Sequence, residues 1–471
     1  MEQSQKRKRL WGTPWPGVKR VGRPVVMFII IFGCINAKAQ QPVQLELKDA
    51  LNYALSANQD ARKARLDVEN SQYQIEEVKS RALPQISGSA ALTYNPLLQQ
   101  SALPNIFGPN PNPNETILIA FGQKWNTNAG ISLSQALFDK SVLTGLSAAK
   151  ATQEFYRLNS KLTEEQIIEQ VATNYYQVLV QRQQMGVLDS TIKNAARVQS
   201  ILQGQYENGL AKKIDVDRIS VNISNLKSQR QQLVNNVALL ENQLKFFMGM
   251  PIQTPISIPD VAWDKIQPQA VPAQDSVDVS GRTEYLLLRK QGDLLRYQKE
   301  AYKSEYYPSL SLAGNYSYQG MGNNMPLFKG KSKGVNWFDA SSVSLNLRIP
   351  IFNGFATRSR VRQADISIRK LNEDMANTSL ALNLAFENAR TQINNSIITL
   401  NAQKENVQLA QEVFFNTQNN YNNGLASLTD LLDAENSLTE AQNNYSAALL
   451  SYRLAEIQLA KSQGQLKSLI N

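Results

Sequence analysis

Residues 355–423 read FATRSRVRQADISIRKLNEDMANTSLALNLAFENARTQINNSIITLNAQKENVQLAQEVFFNTQNNYNN and contain neither glycine nor proline. Because glycine and proline are the strongest breakers of regular structure, such a stretch, polar and rich in Ala, Leu, Gln and Asn, favours one long helix. At 1.5 Å per residue this helix would be about 100 Å long, several times the length of an ordinary globular helix. The first half of the chain has a comparable gap, since no proline occurs between Asn114 and Met250.

Apolar residues in these stretches recur every seven residues. In the second half they are Phe386, Ile393, Leu400, Val407 and Phe414, then Leu431, Leu438, Tyr445, Tyr452 and Leu459, with alanines at 434, 441, 448 and 455. A similar pattern runs from Val216 to Leu244. Large residues facing small ones at this spacing favour closely packed coiled coils with a left-handed supercoil. The alternative, an amphipathic bundle helix, predicts a period of about 3.6 residues and a much shorter element.

The chain also contains an internal repeat. Tyr206–Gly249 aligns without a gap on Tyr421–Gly464 at an offset of 215, and eleven of the 44 positions are identical. Duplication predicts that each half supplies the same elements, namely a helix, two strands and a long helical hairpin. The predicted divisions are a signal peptide (1–39), a first repeat (40–262), a linker (263–280) and a second repeat (281–471).

Each half holds two strand candidates, at 86–94 and 125–133 and at 310–318 and 343–349. Their apolar side chains alternate with small or polar ones, and aromatic residues lie near the ends, as is typical of membrane-spanning β-barrel strands. The residues predicted to face lipid are Ile86, Leu92, Leu133, Leu312, Leu345 and Leu347. The alternative is a pair of half-buried hairpins in a soluble sheet.

The connections at 95–124 and 319–341 are rich in Pro, Asn and Gly and are predicted to be long exposed loops. Four strands cannot close a membrane barrel, and lipid tolerates no open sheet edge. If these strands span a membrane, several chains must therefore share one barrel, and three copies would supply twelve strands.

The first 39 residues carry eight basic side chains and one acidic one, a net charge of +7 out of +10 for the whole chain. Arg20 and Arg23 precede an apolar run, and Ala37-Lys38-Ala39 follows it, which is typical of a signal peptide cleaved after Ala39. The alternative is a lipoprotein signal with Cys34 as the acylated residue. Either leader predicts export from the cytoplasm.

The remaining composition excludes several classes of protein. Residues 40–471 carry only +3, which leaves no cationic face for nucleic acid. A mean hydropathy of −0.35 excludes a bundle of membrane-spanning helices. The chain has no His and one Cys, so no cofactor or metal is expected. Asp430 and Asp433 are paired carboxylates, but no His and no glycine-rich loop accompanies them, so we predict no enzymatic activity.

Both hairpins contain the same turn sequence. Residues 421–434 read YNNGLASLTDLLDA, and residues 206–215 read YENGLAKKID. With the leader, the duplication and the strand pairs, these motifs make residues 44–465 resemble the TolC-like outer-membrane efflux protein family. The resemblance implies an α+β membrane protein. It would be a homotrimer whose twelve-stranded β-barrel, four strands per chain, lies in the outer membrane and continues as a long α-helical coiled-coil barrel across the periplasm.

The resemblance also implies a function. The trimer would be the passive exit duct of a tripartite efflux or secretion system. It would open at its periplasmic tip when it is engaged by a periplasmic adaptor protein and an inner-membrane pump of the RND or ABC type. The alternative is an exported soluble coiled-coil scaffold without a channel, which fractionation of cells would distinguish.

Gly209 and Gly424 each separate the two helices of a hairpin, and we predict that both are left-handed helix C-caps, where a Cβ atom would be penalised. The resemblance implies that these turns form the periplasmic tip. The residues it places in contact with the adaptor are Gly209, Leu210, Ala211, Gly424, Leu425 and Ala426. An exposed Leu at a polar tip favours the same interpretation, because it needs a partner.

Asp430 and Asp433 lie one turn apart on the helix that leaves the second tip. Locally, Ser427 can cap this helix, with Asp430 in its favoured first turn. The resemblance implies instead an acidic constriction that selects cations. It also matches Tyr421 and Asp215 to residues that link neighbouring hairpins in the closed state of similar proteins.

One departure from the family concerns Ala426, where some members carry a basic residue that forms a salt-bridge lock. The first tip has Lys212, Lys213 and Arg218 where the second has Ser427, Leu428 and Asp433, so the two tips have opposite charge. We therefore predict that Arg218 or Lys213 holds Asp430 or Asp433 of an adjacent hairpin. The alternative is a set of solvated charges, each worth under about 1 kcal/mol.

Overall fold

The computed structural model describes residues 43–106, 111–259, 278–327 and 331–470. The predicted signal peptide, Cys34 and Ala39 lie outside the described residues, as does most of the linker predicted at 263–280. The elements in chain order are β1 (Val43–Gln44), α1 (Leu47–Ala57), α2 (Gln59–Ser80), β2 (Gln85–Tyr94), β3 (Gln100–Asn105), β4 (Asn112–Ala120), β5 (Trp125–Phe138), α3 (Lys140–Glu207), α4 (Lys213–Met248), β6 (Ile256–Ser257), α5 (Thr283–Ser304), β7 (Ser309–Gly322), β8 (Val335–Arg348), α6 (Ala356–Asn422) and α7 (Leu428–Ser462).

The helix predicted at 355–423 is confirmed to within one residue at each end, since α6 has 67 residues. Its counterpart α3 has 68, although it contains three glycines. The predicted heptad positions form the seam between α6 and α7, where Ile393, Leu400 and Tyr452 are buried together. α3 packs against α4 in the first hairpin, α6 packs against α7 in the second, and α3 also contacts α7.

The largest core joins the short elements to the middle of the long helices. Leu51 of α1, Val171 and Val178 of α3, and Leu244 and Met248 of α4 are all fully buried in it. Gly249 caps the C-terminus of α4; its φ is +70°, and a Cβ atom there would lie 2.8 Å from the backbone oxygen of Ala57. Only glycine combines that dihedral angle with this close approach.

The four strands β2, β5, β7 and β8 form one antiparallel sheet in that order. Ile86 is directly opposite Leu133, and Leu312 is directly opposite Leu345. Because successive residues of a strand point to opposite faces, this register places all six residues predicted to face lipid on one face of the sheet. The other face is polar, and Ser87 and Ser132 contact each other there at 2.7 Å between their hydroxyl oxygens.

Aromatic side chains lie at both ends of this apolar face. At one end Tyr94 packs on Trp125 with ring centroids 4.6 Å apart, and Tyr318 stacks on Trp337 at 4.9 Å. At the end nearer the helices, Tyr306, Tyr307 and Phe352 are exposed. Two aromatic girdles flanking an apolar band are typical of strands that cross a membrane.

The prediction of long loops at 95–124 and 319–341 is wrong. Strands β3 and β4 pair as an antiparallel hairpin within the first connection. In the second, β7 continues to Gly322 and β8 begins at Val335. The glycines in the second connection favour a loop, but Gly320 lies within β7. A Cβ atom at Gly320 would lie 2.9 Å from the ring of Trp337, so this glycine makes room for that side chain. Among the described residues, no helix combines the length and the apolar character needed to cross a membrane.

Candidate functional site at the hairpin tips

The two tips have the same backbone geometry. Gly209 and Gly424 both have φ of +74°. The amide of Leu210 donates to the carbonyl of Gln205, and that of Leu425 to the carbonyl of Asn420, each at 2.8 Å. These bonds satisfy the last carbonyls of α3 and α6 in the Schellman arrangement, so the predicted left-handed C-caps are present.

The side chains after each glycine are exposed. Leu210 is 80% exposed and Leu425 is 79% exposed, whereas Ala211 and Ala426 are half-buried. In the structure each tip therefore presents a largely exposed Leu side chain to solvent.

The start of α7 is held by a capping box. The hydroxyl of Ser427 accepts from the amide of Asp430 at 3.2 Å, and a carboxylate oxygen of Asp430 accepts from the amide of Ser427 at 2.9 Å. The hydroxyl also donates to this carboxylate at 2.7 Å, and the bonds that the carboxylate accepts from the hydroxyl and the amide of Ser427 lower the pKa of the Asp430 carboxyl. Lys212, at the equivalent place before α4, makes no such bond. Asp433 is exposed, and its carboxylate has no partner among the described residues.

The two tips of one chain touch each other. Leu428 of α7 is buried among side chains of the first hairpin, including Leu202 and Ile219, and Tyr421 packs against the same cluster. This burial raises the pKa of the Tyr421 hydroxyl, and the nearby charge of Asp215 raises it further. The structure thus places Tyr421 within electrostatic reach of Asp215, and the role of this pair as a link between neighbouring hairpins stays a prediction.

Arg218 makes a different contact from the one we predict. Its guanidinium donates to the hydroxyl of Thr429 at 3.2 Å. Within the described part of the chain, no ion pair joins Arg218 or Lys213 to Asp430 or Asp433. Charge pairing between the tips therefore remains a prediction about neighbouring chains.

Sequence reasoning missed Glu435 of α7. Glu435 is only 5% exposed, and its Oε1 atom has no hydrogen-bond partner among the described residues. This burial raises the pKa of its carboxyl group from 4.5 to about 7. One signal was available, because Glu435 lies two heptads before Leu449, which is fully buried.

Comparison with known proteins agrees with this architecture. The family model of the outer membrane efflux protein matches residues 50–250 and 288–465. The chain is 22% identical over 427 residues to outer membrane protein TolC of Salmonella enteritidis, covering 89% of this chain and 82% of that protein. It is 23% identical over 340 residues to alkaline protease secretion protein AprF of Pseudomonas aeruginosa, covering 69% and 67%.

Solved structures share the fold. The chain resembles CusC with a TM-score of 0.70 at 18% identity, covering 89% of this chain and 92% of that one. It resembles the outer membrane protein VceC of Vibrio cholerae with a TM-score of 0.67 at 15% identity, covering 89% and 96%. Since the family model spans most of both halves, the chain belongs to the outer membrane efflux protein family, and its place is the outer membrane, with the helical part in the periplasm.

Proposed function

We propose that three copies of this chain form the exit duct of a tripartite efflux or secretion system. The observation that carries this proposal is the four-stranded sheet, whose edge strands β2 and β8 each have one neighbour in the described chain. Lipid cannot form hydrogen bonds with the backbone groups of an open sheet edge, so β2 of one copy would pair with β8 of the next. Twelve strands would then close the barrel, with the apolar face toward lipid and the serine-rich face toward the channel.

The helices supply the rest of the duct. Each repeat, 40–262 and 281–471, contributes one long hairpin, and α3 and α6 are each about 100 Å long. Six such hairpins in three chains would surround a tunnel that reaches through the periplasm. The duct itself is passive, and an inner-membrane pump of the RND or ABC type, joined through an adaptor protein, would supply the energy. The family is one of efflux proteins rather than enzymes.

The gate of this duct is the set of contacts between the hairpin tips. Tyr421 and Leu428 of the second hairpin pack on the first hairpin, and Arg218 bonds to Thr429. Opening would require the second hairpin to move away from the first hairpin, which breaks these contacts. While the gate is closed, Asp430 and Asp433 of the ring of six hairpins would line a narrow acidic entrance that favours cations.

The charges of the gate can be tested by single-channel recording in planar bilayers. We expect Asp430→Ala combined with Asp433→Ala to raise conductance severalfold and to lower cation selectivity, because the acidic ring is lost. Arg218→Ala should also raise conductance, but leave or increase cation selectivity.

Ser427→Ala is the matched control for this experiment. It removes the helix cap, at a cost of about 1 kcal/mol, but retains both carboxylates. It should leave cation selectivity unchanged. Unchanged conductance in the double aspartate variant and in Arg218→Ala would show that these charges do not gate the channel, which leaves them only a role in helix capping or as solvated surface charges.

The exposed leucines at the tips are proposed to dock the adaptor. Burying one Leu side chain contributes about 1.5–3 kcal/mol, so Leu210→Asp with Leu425→Asp should weaken adaptor binding by about a hundredfold or more. The measurement is the affinity of the purified variant for the adaptor protein that co-purifies with the unaltered chain. Leu97→Asp, at a residue 90% exposed in the connection between β2 and β3, is the control and should bind normally. Equal affinities for the two variants would contradict docking at the tips.

A further inference from the structure

Glu435 lies on the face of α7 that meets the first hairpin. It is seven residues after Leu428, which is buried against that hairpin, and four residues before Thr439. The hydroxyl of Thr439 is 3.1 Å from the hydroxyl of Thr191 on α3. Because residues four and seven apart share one face of a helix, the Glu435 carboxyl lies at the seam between α7 and α3.

This carboxyl group is buried without a compensating charge. On α3 the charged residues at this level are Lys193 and Arg197, and on α6 they are Lys404, Glu405 and Glu412, all of them exposed. On α7 itself, Asp433 and Glu440 are exposed as well. None of the three basic groups forms an ion pair with Glu435 in the described chain, and burial accounts for its raised pKa.

An ionised carboxylate in such a place carries a large desolvation cost, whereas a protonated one does not. The group has two ways to avoid this cost. It can keep its proton while the hairpins stay packed, or it can ionise in water once α7 separates from α3.

We propose that Glu435 is a proton-controlled latch between the two hairpins of each chain. When it is protonated, its buried carboxyl group allows α7 to stay packed on α3. When it is ionised, it drives the two hairpins apart near the tip. As a regulator of the duct, this latch rests on the proposed function, in which separation of the hairpins opens the gate.

The direction of the pH dependence follows from the two pKa values. The pKa of the Glu435 carboxyl is about 7 in the packed arrangement, against 4.5 for an exposed Glu, so the packed arrangement binds the proton more tightly. Protonation therefore stabilises packing fully below about pH 4.5, and this stabilisation is lost as the pH rises toward 7. Between about pH 5 and about pH 8, the ratio of separated to packed hairpins should rise about 70-fold per chain.

Hydrogen exchange of the purified full-length protein in detergent tests the latch directly. The amides to follow are those of 187–198 in α3 and 428–442 in α7. Comparing variants at the same pH removes the intrinsic effect of pH on exchange. At about pH 8, these amides should exchange at least tenfold more slowly in Glu435→Gln than in the unaltered protein, whereas at about pH 5 the two should differ little.

Two further variants sharpen this comparison. Glu440→Gln removes an exposed carboxylate from the same helix and should behave like the unaltered protein. Glu435→Leu removes the polar group altogether and should be as insensitive to pH as Glu435→Gln. Equal exchange at about pH 8 in the unaltered protein and in both Glu435 variants would overturn the latch.

Single-channel recording separates the latch from the gate. If both proposals hold, open probability rises with pH in the unaltered protein and stays low in Glu435→Gln. If exchange responds to Glu435 but open probability does not, the latch stands and the tips are not the gate. If open probability depends on pH to the same extent in both proteins and exchange is also equal, exposed carboxylates cause the response and the latch is overturned.

Discussion

We expect the substitution Leu345→Arg to prevent the chain from inserting into the outer membrane. Leu345 is 65% exposed on the apolar face of the sheet, opposite Leu312. Along the chain it lies about halfway between Trp337 and Phe352, which belong to the two aromatic girdles. An Arg near the bilayer midplane costs about 2–4 kcal/mol at each site, and a trimer carries three such sites.

Ser344→Arg is a closely matched control. Ser344 is the preceding residue of the same strand and points to the opposite, polar face. The measurement is fractionation of cells, followed by electrophoresis of the heat-sensitive trimer from the outer membrane. Ser344→Arg should give a normal amount of trimer, and Leu345→Arg should give little or none.

Two outcomes would contradict this arrangement. Equal amounts of trimer from both variants would show that the lipid-facing side of the sheet is wrongly assigned. An unaltered chain found as a monomer in the periplasmic supernatant would favour the soluble scaffold instead of the duct.

The second large effect is expected from a covalent bond between the two hairpins. Thr191→Cys combined with Thr439→Cys should form a disulfide, because the two hydroxyl oxygens are 3.1 Å apart. The only natural cysteine, Cys34, lies in the predicted leader. With α7 tied to α3, the duct should remain closed when adaptor and pump are supplied, so efflux by cells should fall to the level without the duct.

The same double variant after reduction is its own control. Dithiothreitol should restore the conductance of the purified channel in planar bilayers, and either single cysteine variant should be unaffected by oxidant. If the oxidised double variant conducts as freely as the reduced one, opening does not require α7 to leave α3.

Much of the local structure was predictable from the sequence. The absence of glycine and proline identified α6, and the heptads identified its buried residues, such as Ile393 and Leu400. The turn motif predicted the left-handed conformation of Gly209 and Gly424 and the cap formed by Ser427. Each of these features depends on residues a few positions apart, because dihedral preferences, caps and amphipathic faces are set by near neighbours in the chain.

Alternation likewise predicted that the six apolar strand residues would share one face, although their strands come from both halves of the chain. It did not predict the full length of the strands or the β3–β4 hairpin, because those segments are rich in glycine and proline, which are also common in loops. Whether Gly320 ends a strand or admits a ring depends on Trp337, which reaches it only through the pairing of β7 with β8.

The sequence by itself therefore determined the long helices, the apolar face of the four sheet strands and the turns at the hairpin tips. The tertiary structure alone decided which groups meet across the hairpins. Arg218 finds Thr429, 211 residues away, and Thr191 finds Thr439, 248 residues away. The burial of Glu435 also depends on residues distant in the sequence, because a charged residue on a two-helix hairpin is solvated unless a third helix covers it. The heptad that relates Glu435 to Leu449 indicates the face on which Glu435 lies, but only the tertiary structure places α3 against that face.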